Sequence, residues 1–485
     1  MSVTSFGSKV RSGVLWSLVQ NWGARFGGLL VFFVLARILS PADMGLFAAA
    51  TTVVAFCGLF VDSGLSEAVV QTREVTRRQL STVFVINLVM SVVVLLAIWF
   101  AAPHLAAYFA LPELSAILRV SVFVVVLNAL SFSQMAMLRR AFKYRQLAFV
   151  TLGGTAVSGV IAVAMAWSGM GAWSLVAQAL IAAVYMAVLL WLSPEWRPGW
   201  EFDLRAIRGL VSYGVKRLLT TVMDFANTRF IELFFASLFG AATLGLYVVG
   251  ARVYQVLMQV LCSAVMDIAH NAFSRLSHEP ERLRDAYYAA LGVAAATSMP
   301  VFFILSMVST ELVVGVFGGQ WTGAGAVLLP LLILGGVQVL QFFNGVVYNA
   351  LGRPGIGLIF MVGKTVVTML TLFLVRDWPF QDVVWAFFAS QVVSMPVSFM
   401  VAKRVIGISY RKIVLQVAPF AASTLASMAA MAFARPVLSM GMPFADMLVL
   451  LGLGWGVFAC GALALARDQV FKIIHMLRKR QVETD

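Results

Sequence analysis

The sequence predicts an all-α protein that crosses a membrane many times. Its 485 residues are 61% hydrophobic and only 12% charged, and their mean hydropathy is +0.93. A transmembrane helix needs about 20 apolar residues. Stretches of this kind recur along the whole chain, and short polar links separate them. We therefore predict a polytopic helical membrane protein with about fourteen spans.

The apolar stretches also suggest how the chain is divided. The spans are expected, in chain order, near residues 12–38, 45–61, 81–101, 114–137, 147–168, 172–193, 209–237, 243–266, 286–308, 323–349, 355–375, 381–402, 413–434 and 445–466. Two pseudo-symmetric lobes of six spans each are predicted, followed by two additional helices and an amphipathic cytoplasmic tail. These regions comprise residues 1–208, 209–412, 413–466 and 467–485.

Lysine and arginine are distributed unevenly between the links. Alternate links are basic, as in residues 73–78 and 139–145, whereas the opposite set has almost no cations apart from Arg376 and Arg435. Positively charged links remain in the cytoplasm. Both termini are therefore predicted to be cytoplasmic, which agrees with an even number of spans.

The composition does not fit several functional classes. The net charge of +14 could indicate nucleic acid, but the cations follow the membrane leaflets and no soluble basic domain is predicted. The three cysteines lie within predicted spans, and the four histidines have no metal-binding spacing. The first apolar stretch is too long for a cleavable signal peptide. We expect no nucleic acid, no disulfide framework, no metal and no cofactor.

An internal repeat relates the two predicted lobes. The run LSPADMGLF, which begins at residue 39, aligns with FGAATLGLY at an offset of 200 residues, so that Gly45 matches Gly245. Both runs lie on the link between the first and second spans of a lobe. Two lobes of the same topology could rock about a central cavity and open it to alternate sides of the membrane.

Basic residues within the apolar helices indicate an anionic ligand or a water-filled path, because a cation in hydrocarbon is costly. They are Arg25, Arg119, Arg229, Arg252 and Lys364. Arg25 shares one helical face with Ser17, Asn21 and Gly28, so the first span is predicted to present a polar stripe.

The seventh predicted span also contains acidic residues. Glu232 lies three positions after Arg229 and could pair with it. Asp224 has no basic residue one turn away on its own helix, so it is a candidate for coupling transport to a proton or sodium gradient, with Glu232 as the other candidate. Lys364 could balance Asp224 or contact phosphate, and the sequence does not choose between them.

At two segments the chain resembles a known family. The opening GVLWSLVQNWGARFGGLLVFFVLARILSPADMGLFAAATTVVAFCGLFVDSGLSEAVVQ and the later LSFSQMAMLRRAFKYRQLAF are similar to the polysaccharide-transport branch of the multidrug/oligosaccharidyl-lipid/polysaccharide (MOP) flippase superfamily. The resemblance implies a flippase of the bacterial inner membrane and not an enzyme. Its expected cargo is an oligosaccharide on undecaprenyl pyrophosphate, for exopolysaccharide, capsule or O-antigen assembly. Membrane lipids and a polysaccharide polymerase or co-polymerase are the implied partners.

Each part of such a cargo needs a different surface. A pyrophosphate needs cations, and the intramembrane set Arg25, Arg252, Arg119, Arg229 and Lys364 is predicted to supply them. In the related lipid II flippases, basic residues on the first and eighth spans line the central cavity, and Arg25 and Arg252 are similar in placement. Sugars need amides and aromatic rings, which are offered by Asn21, Asn128, Gln134, Gln338, Gln341, Asn344 and Tyr348. The alternative for these amides is hydrogen bonding between helices.

Other functions remain as alternatives. A multidrug antiporter of the same superfamily would share the lobes, but the first span carries Arg25 instead of an acid that binds a cation. A membrane polysaccharide polymerase would need long external links with clustered acids or arginines. The longest external links here, near residues 102–113 and 309–322, contain only His104, Glu113 and Glu311 as acidic, basic or histidine side chains. A passive scramblase or a scaffold is also left open.

Overall fold

The structure is a computed structural model and is almost entirely helical. It describes residues 3–62, 64–71, 75–192, 194, 196–199, 202–203, 207–438 and 443–471. No residue of these ranges lies in a β-strand, and the predicted all-α membrane fold is confirmed. Residues 472–485, which hold most of the predicted amphipathic tail, lie outside the described residues. The chain divides into two compact units, Met1–Val248 and Val249–Asp485.

The first unit contains eight helices and the first part of a ninth, within the ranges given above. They are α1 Val3–Ile38, α2 Pro41–Asp62, α3 Leu65–Gln71, α4 Arg77–Tyr108, α5 Leu114–Ser121, α6 Phe123–Arg140, α7 Tyr144–Trp167, α8 Ala172–Leu192 and α9 Arg208–Arg275. The second unit begins inside α9. It continues with α10 Pro280–Ala296, α11 Ser298–Ser306, α12 Ser309–Phe317, α13 Thr322–Ala350, α14 Pro354–Leu374, α15 Phe380–Ile406, α16 Tyr410–Leu438 and α17 Pro443–Leu465.

Thirteen helical segments of the described residues are long and apolar enough to cross a membrane, against about fourteen expected. The difference arises in α9, where one segment, Thr228–Cys262, contains parts of two predicted spans. Gly240 interrupts the helix there with a φ of +76° and a ψ of −179°. Glycine adopts this conformation without the steric cost that a Cβ would add. The break at Gly240 therefore separates the seventh and eighth predicted spans.

Small residues allow α1 and α7 to pack closely. A Cβ on Gly23 would lie 2.8 Å from a methyl carbon of Leu152, and one on Gly27 would lie 3.3 Å from the methyl carbon of Thr155. The hydrophobic effect does not drive helices together inside a membrane. Close van der Waals packing at glycines stabilises their association instead. This contact turns the Gly23 and Gly27 face of α1 toward α7.

The start of α2 is held by a local cap. The Ser40 hydroxyl donates to Asp43 Oδ2 at 2.5 Å and accepts from the Asp43 backbone N–H at 3.2 Å. The other carboxylate oxygen, Oδ1, accepts the backbone N–H of Ala172 at 2.9 Å, at the first residue of α8. Asp43 therefore caps α2 and also ties α8 to it, since both helix starts offer N–H groups without partners inside the helix.

Gly45 and Gly245, the two glycines that the repeat aligns, lie at a close contact between two backbone segments of the first unit. A Cβ on Gly45 would overlap the carbonyl oxygen of Ala241 and lie 2.8 Å from the backbone nitrogen of Gly245. Likewise, a Cβ on Gly245 would overlap the carbonyl oxygen of Pro41 and lie 3.1 Å from the backbone nitrogen of Gly45. The offset of 200 residues seen in the sequence thus recurs as a pairwise symmetric backbone contact.

The second unit is organised around α13, whose side chains are the most deeply buried of the spans described. It packs against α10, α11, α12 and α15. The pair α16 and α17 packs closely through small residues, and the Ser427 hydroxyl donates to the carbonyl oxygen of Gly454 at 2.6 Å. Close approach through small residues is the usual way in which membrane helices pack.

Candidate functional site

The polar face of α1 is uncovered around Arg25. The side chain of Arg25 is exposed near the middle of the span Leu15–Ile38, and no described carboxylate lies within ion-pair distance of it. Its guanidinium lies 6.0 Å from the ring centroid of Trp22, one turn earlier. A Cβ on Gly28, further along the same face, would meet no atom within 4 Å. Because Gly23 and Gly27 face α7, the Arg25 face points away from that packing surface.

Asn21 continues this face toward the start of the span. Its amide nitrogen donates to the Ser17 carbonyl oxygen at 2.9 Å and lies 3.4 Å from the Ser17 hydroxyl oxygen. The amide oxygen makes no hydrogen bond to another described residue, so the face offers an exposed acceptor one turn from a guanidinium. The structure thus brings together Ser17, Asn21 and Arg25 as the periodicity predicts.

A cavity of about 340 Å³ lies inside the first unit, where α2, α6 and α8 meet near the end of α5. Its polar lining residues are Thr51, Ser121 and Asn128. Ser121 is only 3% exposed, and its hydroxyl has no hydrogen-bond partner among the described residues. The Asn128 side chain makes none either, whereas Thr51 donates to the Phe47 carbonyl oxygen at 2.8 Å. Unpaired polar groups at a buried wall are costly, so this cavity is suited to a neutral ligand that carries hydroxyl groups.

Gln134 lies farther along α6 and is already engaged. Its amide nitrogen donates to the Trp196 carbonyl oxygen at 2.6 Å, while its amide oxygen is buried without a partner among the described residues. Asn87 on α4 is fully buried, and both of its amide atoms lack partners of that kind. Sequence reasoning did not single out Asn87, because one asparagine in an apolar span gives no periodic signal.

Glu232 is buried at a junction inside the first unit. One of its carboxylate oxygens accepts the Thr52 hydroxyl at 2.7 Å, and the other accepts the Arg229 guanidinium at 2.6 Å. Glu232 is 5% exposed, whereas the Arg229 side chain is 48% exposed. The pairing of Arg229 with Glu232 that the sequence suggested is present. The side chain of Asp224 lies outside the described part of the chain.

The amides of the second unit form a network between helices. Asn344 accepts the Tyr287 hydroxyl at 2.5 Å through its amide oxygen and donates to the Ser398 hydroxyl at 2.8 Å. The Tyr348 hydroxyl donates to the Ser398 carbonyl oxygen at 3.2 Å, and Gln338 accepts the Tyr254 hydroxyl at 2.6 Å. These contacts join α13 to α9, α10 and α15, as helix-packing hydrogen bonds do.

Gln341 differs from its neighbours in this network. It is buried on α13 but makes no hydrogen bond to another described residue. Of the sugar-binding candidates, Asn128 and Gln341 are therefore the two whose side chains make no hydrogen bond to another described residue. Tyr254 and Tyr287, which complete the network, were not predicted as site residues. A tyrosine within a span has no pattern that reveals its partner.

The remaining intramembrane cations have different surroundings. Arg119 on α5 lies 5.4 Å from the Trp99 ring centroid, and its Nε donates to the Trp99 carbonyl oxygen at 3.4 Å. Arg252 is half-buried on α9, and its Nε is buried. Lys364 is half-buried on α14, and no described carboxylate pairs with it. Among the intramembrane cations of the first unit whose side chains the structure describes, Arg25 alone combines exposure near mid-span with the absence of a described acidic partner.

The fold is that of MOP-superfamily membrane transporters. The structure is similar to that of the lipid II flippase MurJ in an inward closed conformation, with a TM-score of 0.74, 12% identity, and coverage of 94% of this chain and 100% of that chain. It is also similar to an inward-facing multidrug resistance MATE family transporter, with a TM-score of 0.61, 14% identity, and coverage of 81% and 94%. At these identities the similarity shows the shared fold.

The chain belongs to the polysaccharide biosynthesis protein family, whose model matches residues 34–326. It is 26% identical to the succinoglycan biosynthesis transport protein ExoT of Rhizobium meliloti (strain 1021), over 70% of this chain and 68% of that protein. It is 23% identical to the teichuronic acid biosynthesis protein TuaB of Bacillus subtilis (strain 168), over 80% and 81%. It is 24% identical to the lipopolysaccharide biosynthesis protein WzxC of Escherichia coli (strain K12), over 85% and 84%.

Proposed function

We propose that this protein carries a lipid-linked oligosaccharide across the bacterial inner membrane during assembly of a surface polysaccharide. Its family and the names of its relatives support transport instead of catalysis. Those relatives serve succinoglycan, teichuronic acid and lipopolysaccharide, which are different polymers. The proposed activity is therefore a transport step that such pathways share, and it does not depend on one particular sugar. The proposed cargo is a repeat unit on undecaprenyl pyrophosphate.

The exposed position of Arg25 near the middle of α1 is the observation that supports this proposal most directly. An exposed guanidinium near mid-span is costly in hydrocarbon, and no described acid compensates it. An anionic cargo in a water-filled path removes that cost, because a phosphate can accept two parallel hydrogen bonds from one guanidinium. A cationic drug would be repelled instead. The charge on α1 thus favours a pyrophosphate cargo over the multidrug antiport that the shared fold also accommodates.

The cavity beside Asn128 is the proposed sugar-binding part of the site. Its lining contains no charged residue, which suits neutral hydroxyl groups. The free atoms of Ser121 and Asn128 could accept and donate hydrogen bonds to such a group. The hydrogen-bonded amides of Gln338 and Asn344 are better explained as contacts between helices, since a ligand would first have to break them.

We expect Asn128→Leu to lower export of the polysaccharide by roughly tenfold, because it removes one or two hydrogen bonds to the cargo while keeping the side-chain volume similar. Export should be measured at equal protein level, together with the melting temperature of the purified protein. Asn349→Leu, at an exposed amide on α13, is the matched control and should leave export unchanged. If Asn128→Leu changed the melting temperature but not export, the amide would be a packing group only.

The proposed location is the inner membrane of a bacterium, with both termini in the cytoplasm. The distribution of lysine and arginine between the links supports this orientation. We also propose that polymerase or co-polymerase machinery receives the transported unit, because a flipped repeat unit still has to be joined to others. Asp224, with Glu232, stays the predicted site of coupling to a proton or sodium gradient.

The decisive experiment is to deplete the protein and measure the amount and sidedness of lipid-linked oligosaccharide in spheroplasts. We expect completed units to accumulate on the cytoplasmic leaflet while surface polymer is lost. Re-expression of the chain should restore both. Completed units that reach the periplasmic leaflet but stay unpolymerised would contradict the proposal and favour a polymerase.

A further inference from the structure

A groove with charged lining residues lies on the first unit and shares no lining residue with the uncharged Asn128 cavity. It has a volume of about 540 Å³ and runs between the start of α7 and the end of α8. Its lining includes the cations Lys143 and Arg145 and the apolar side chains of Phe149, Leu189 and Leu192. Phe149 is 58% exposed and Leu192 is 71% exposed. The groove therefore combines cationic side chains with exposed apolar ones.

The guanidinium of Arg145 is held in place by aromatic rings. It lies 5.7 Å from the ring centroid of Trp16 on α1 and 5.7 Å from that of Phe149 on α7. No described carboxylate lies within ion-pair distance of Arg145. Cation–π attraction to rings at this distance orients the side chain without using its N–H groups.

The local electrostatics favour binding of an anion beside Lys143 and Arg145. Lys143 precedes α7 and Arg145 lies in its first turn, which contains no acidic residue and has no side-chain cap. The N-terminus of a helix carries a partial positive charge, so cations there are unfavourable and anions are favourable. Two cations and a helix start thus converge without a described acid to balance Arg145.

The shape of the groove selects a lipid over a soluble anion. A free phosphate would contact Lys143 and Arg145 but not the exposed apolar side chains of Phe149 and Leu192. An anionic phospholipid has one phosphodiester and two acyl chains, so it can contact both kinds of side chain. The link from residue 139 to 145 is among those predicted to be cytoplasmic, where juxtamembrane cations attract anionic lipids.

We propose that this groove binds an anionic membrane phospholipid, with its phosphate at Lys143 and Arg145 and its acyl chains along Phe149 and Leu192. The proposal does not depend on the identity of the transported cargo. A lipid in this position would bridge α7, α8 and, through Trp16, α1.

The test measures lipid binding to the full-length protein, purified in detergent, by native mass spectrometry. The lipids added are phosphatidylglycerol or phosphatidylcholine. We expect the wild-type protein to prefer phosphatidylglycerol by at least about fivefold. Lys143→Gln and Arg145→Gln should each lower its binding about fivefold, since each removes one cation near the headgroup. Arg145→Lys should retain most of it.

Arg139→Gln is the matched control, because Arg139 is an exposed cation of the same link that does not line the groove. It should keep the preference for phosphatidylglycerol. The melting temperature without added lipid shows whether each variant is folded. Equal losses in Arg139→Gln and Arg145→Gln would overturn the proposal, since they would indicate diffuse attraction to charge.

Two competitors distinguish other sources of phosphate. Inorganic phosphate at millimolar concentration should not displace phosphatidylglycerol, and its doing so would show that the groove is a free-anion site. A polyprenyl phosphate that displaced phosphatidylglycerol at a lower concentration than a second phospholipid would overturn the assignment in favour of a carrier lipid.

Discussion

Gly45→Ala is expected to disrupt the first unit severely, because the added Cβ would overlap the backbone carbonyl oxygen of Ala241. A flexible side chain could move aside, but two helix backbones can only separate. Normal contacts between heavy atoms are about 3.5–4.0 Å, so the segments would have to move apart by more than an ångström. Overpacking costs about 1–3 kcal/mol, and a clash between backbones should reach the upper end. The melting temperature and the export of polysaccharide measure this loss.

The symmetry of the contact makes a sharper prediction. Gly245→Ala should have an effect of similar size, because its Cβ would overlap the carbonyl oxygen of Pro41. The double variant should lose less than the sum of the single losses, since the first substitution already separates the segments. Gly456→Ala is the matched control, because a Cβ there meets no atom within 4 Å. Additive losses, or no loss at Gly45, would show that the contact does not form.

Arg25→Ala should abolish export while the protein still inserts and folds. A hydrogen bond to a charged group contributes about 1.5–3 kcal/mol, so the loss corresponds to roughly tenfold or more in cargo binding. Arg25→Lys should keep part of the activity, because an ammonium retains the charge but cannot bind a phosphate bidentately. Export and the sidedness of lipid-linked oligosaccharide, at equal protein level, are the measurements.

The controls for Arg25 separate its charge from its packing. Arg376→Ala removes an exposed cation that pairs with Asp377 outside the candidate site, and it should leave export unchanged. Arg252→Ala on α9 is expected to resemble Arg25→Ala, since both cations are predicted to contact the pyrophosphate of the proposed cargo. Full export in Arg25→Ala and Arg252→Ala would refute the cationic site.

Much of the fold could be predicted from local patterns. Lengths of apolar sequence predicted most spans, and Gly45 and Gly245, which the sequence aligned, contact each other's segments in the structure. The break at Gly240 lies in the predicted link between residues 237 and 243, but the φ of +76° that makes the break does not follow from the apolar pattern. The cap at Ser40 and Asp43 follows from local chemistry, but the bond from Ala172 to Asp43 joins residues far apart in the sequence.

The candidate site was predictable only in part. Helical periodicity was enough to place Asn21 and Arg25 on one face, because that relation is local to α1. It could not distinguish Asn128 from Asn344, which have the same chemistry in similar spans. Asn344 is occupied by Tyr287 and Ser398, whereas Asn128 faces a cavity with Ser121. Partners on other helices decide whether an amide is available.

The sequence by itself determined the membrane class, the approximate spans, the internal repeat and the presence of unusual cations, since each depends on composition or on residues close in the chain. Only the tertiary structure decided which polar groups are satisfied, which glycines allow backbones to touch, and where Lys143 and Arg145 meet an apolar groove. Those features depend on contacts between distant helices, and no local periodicity encodes the identity of the neighbour.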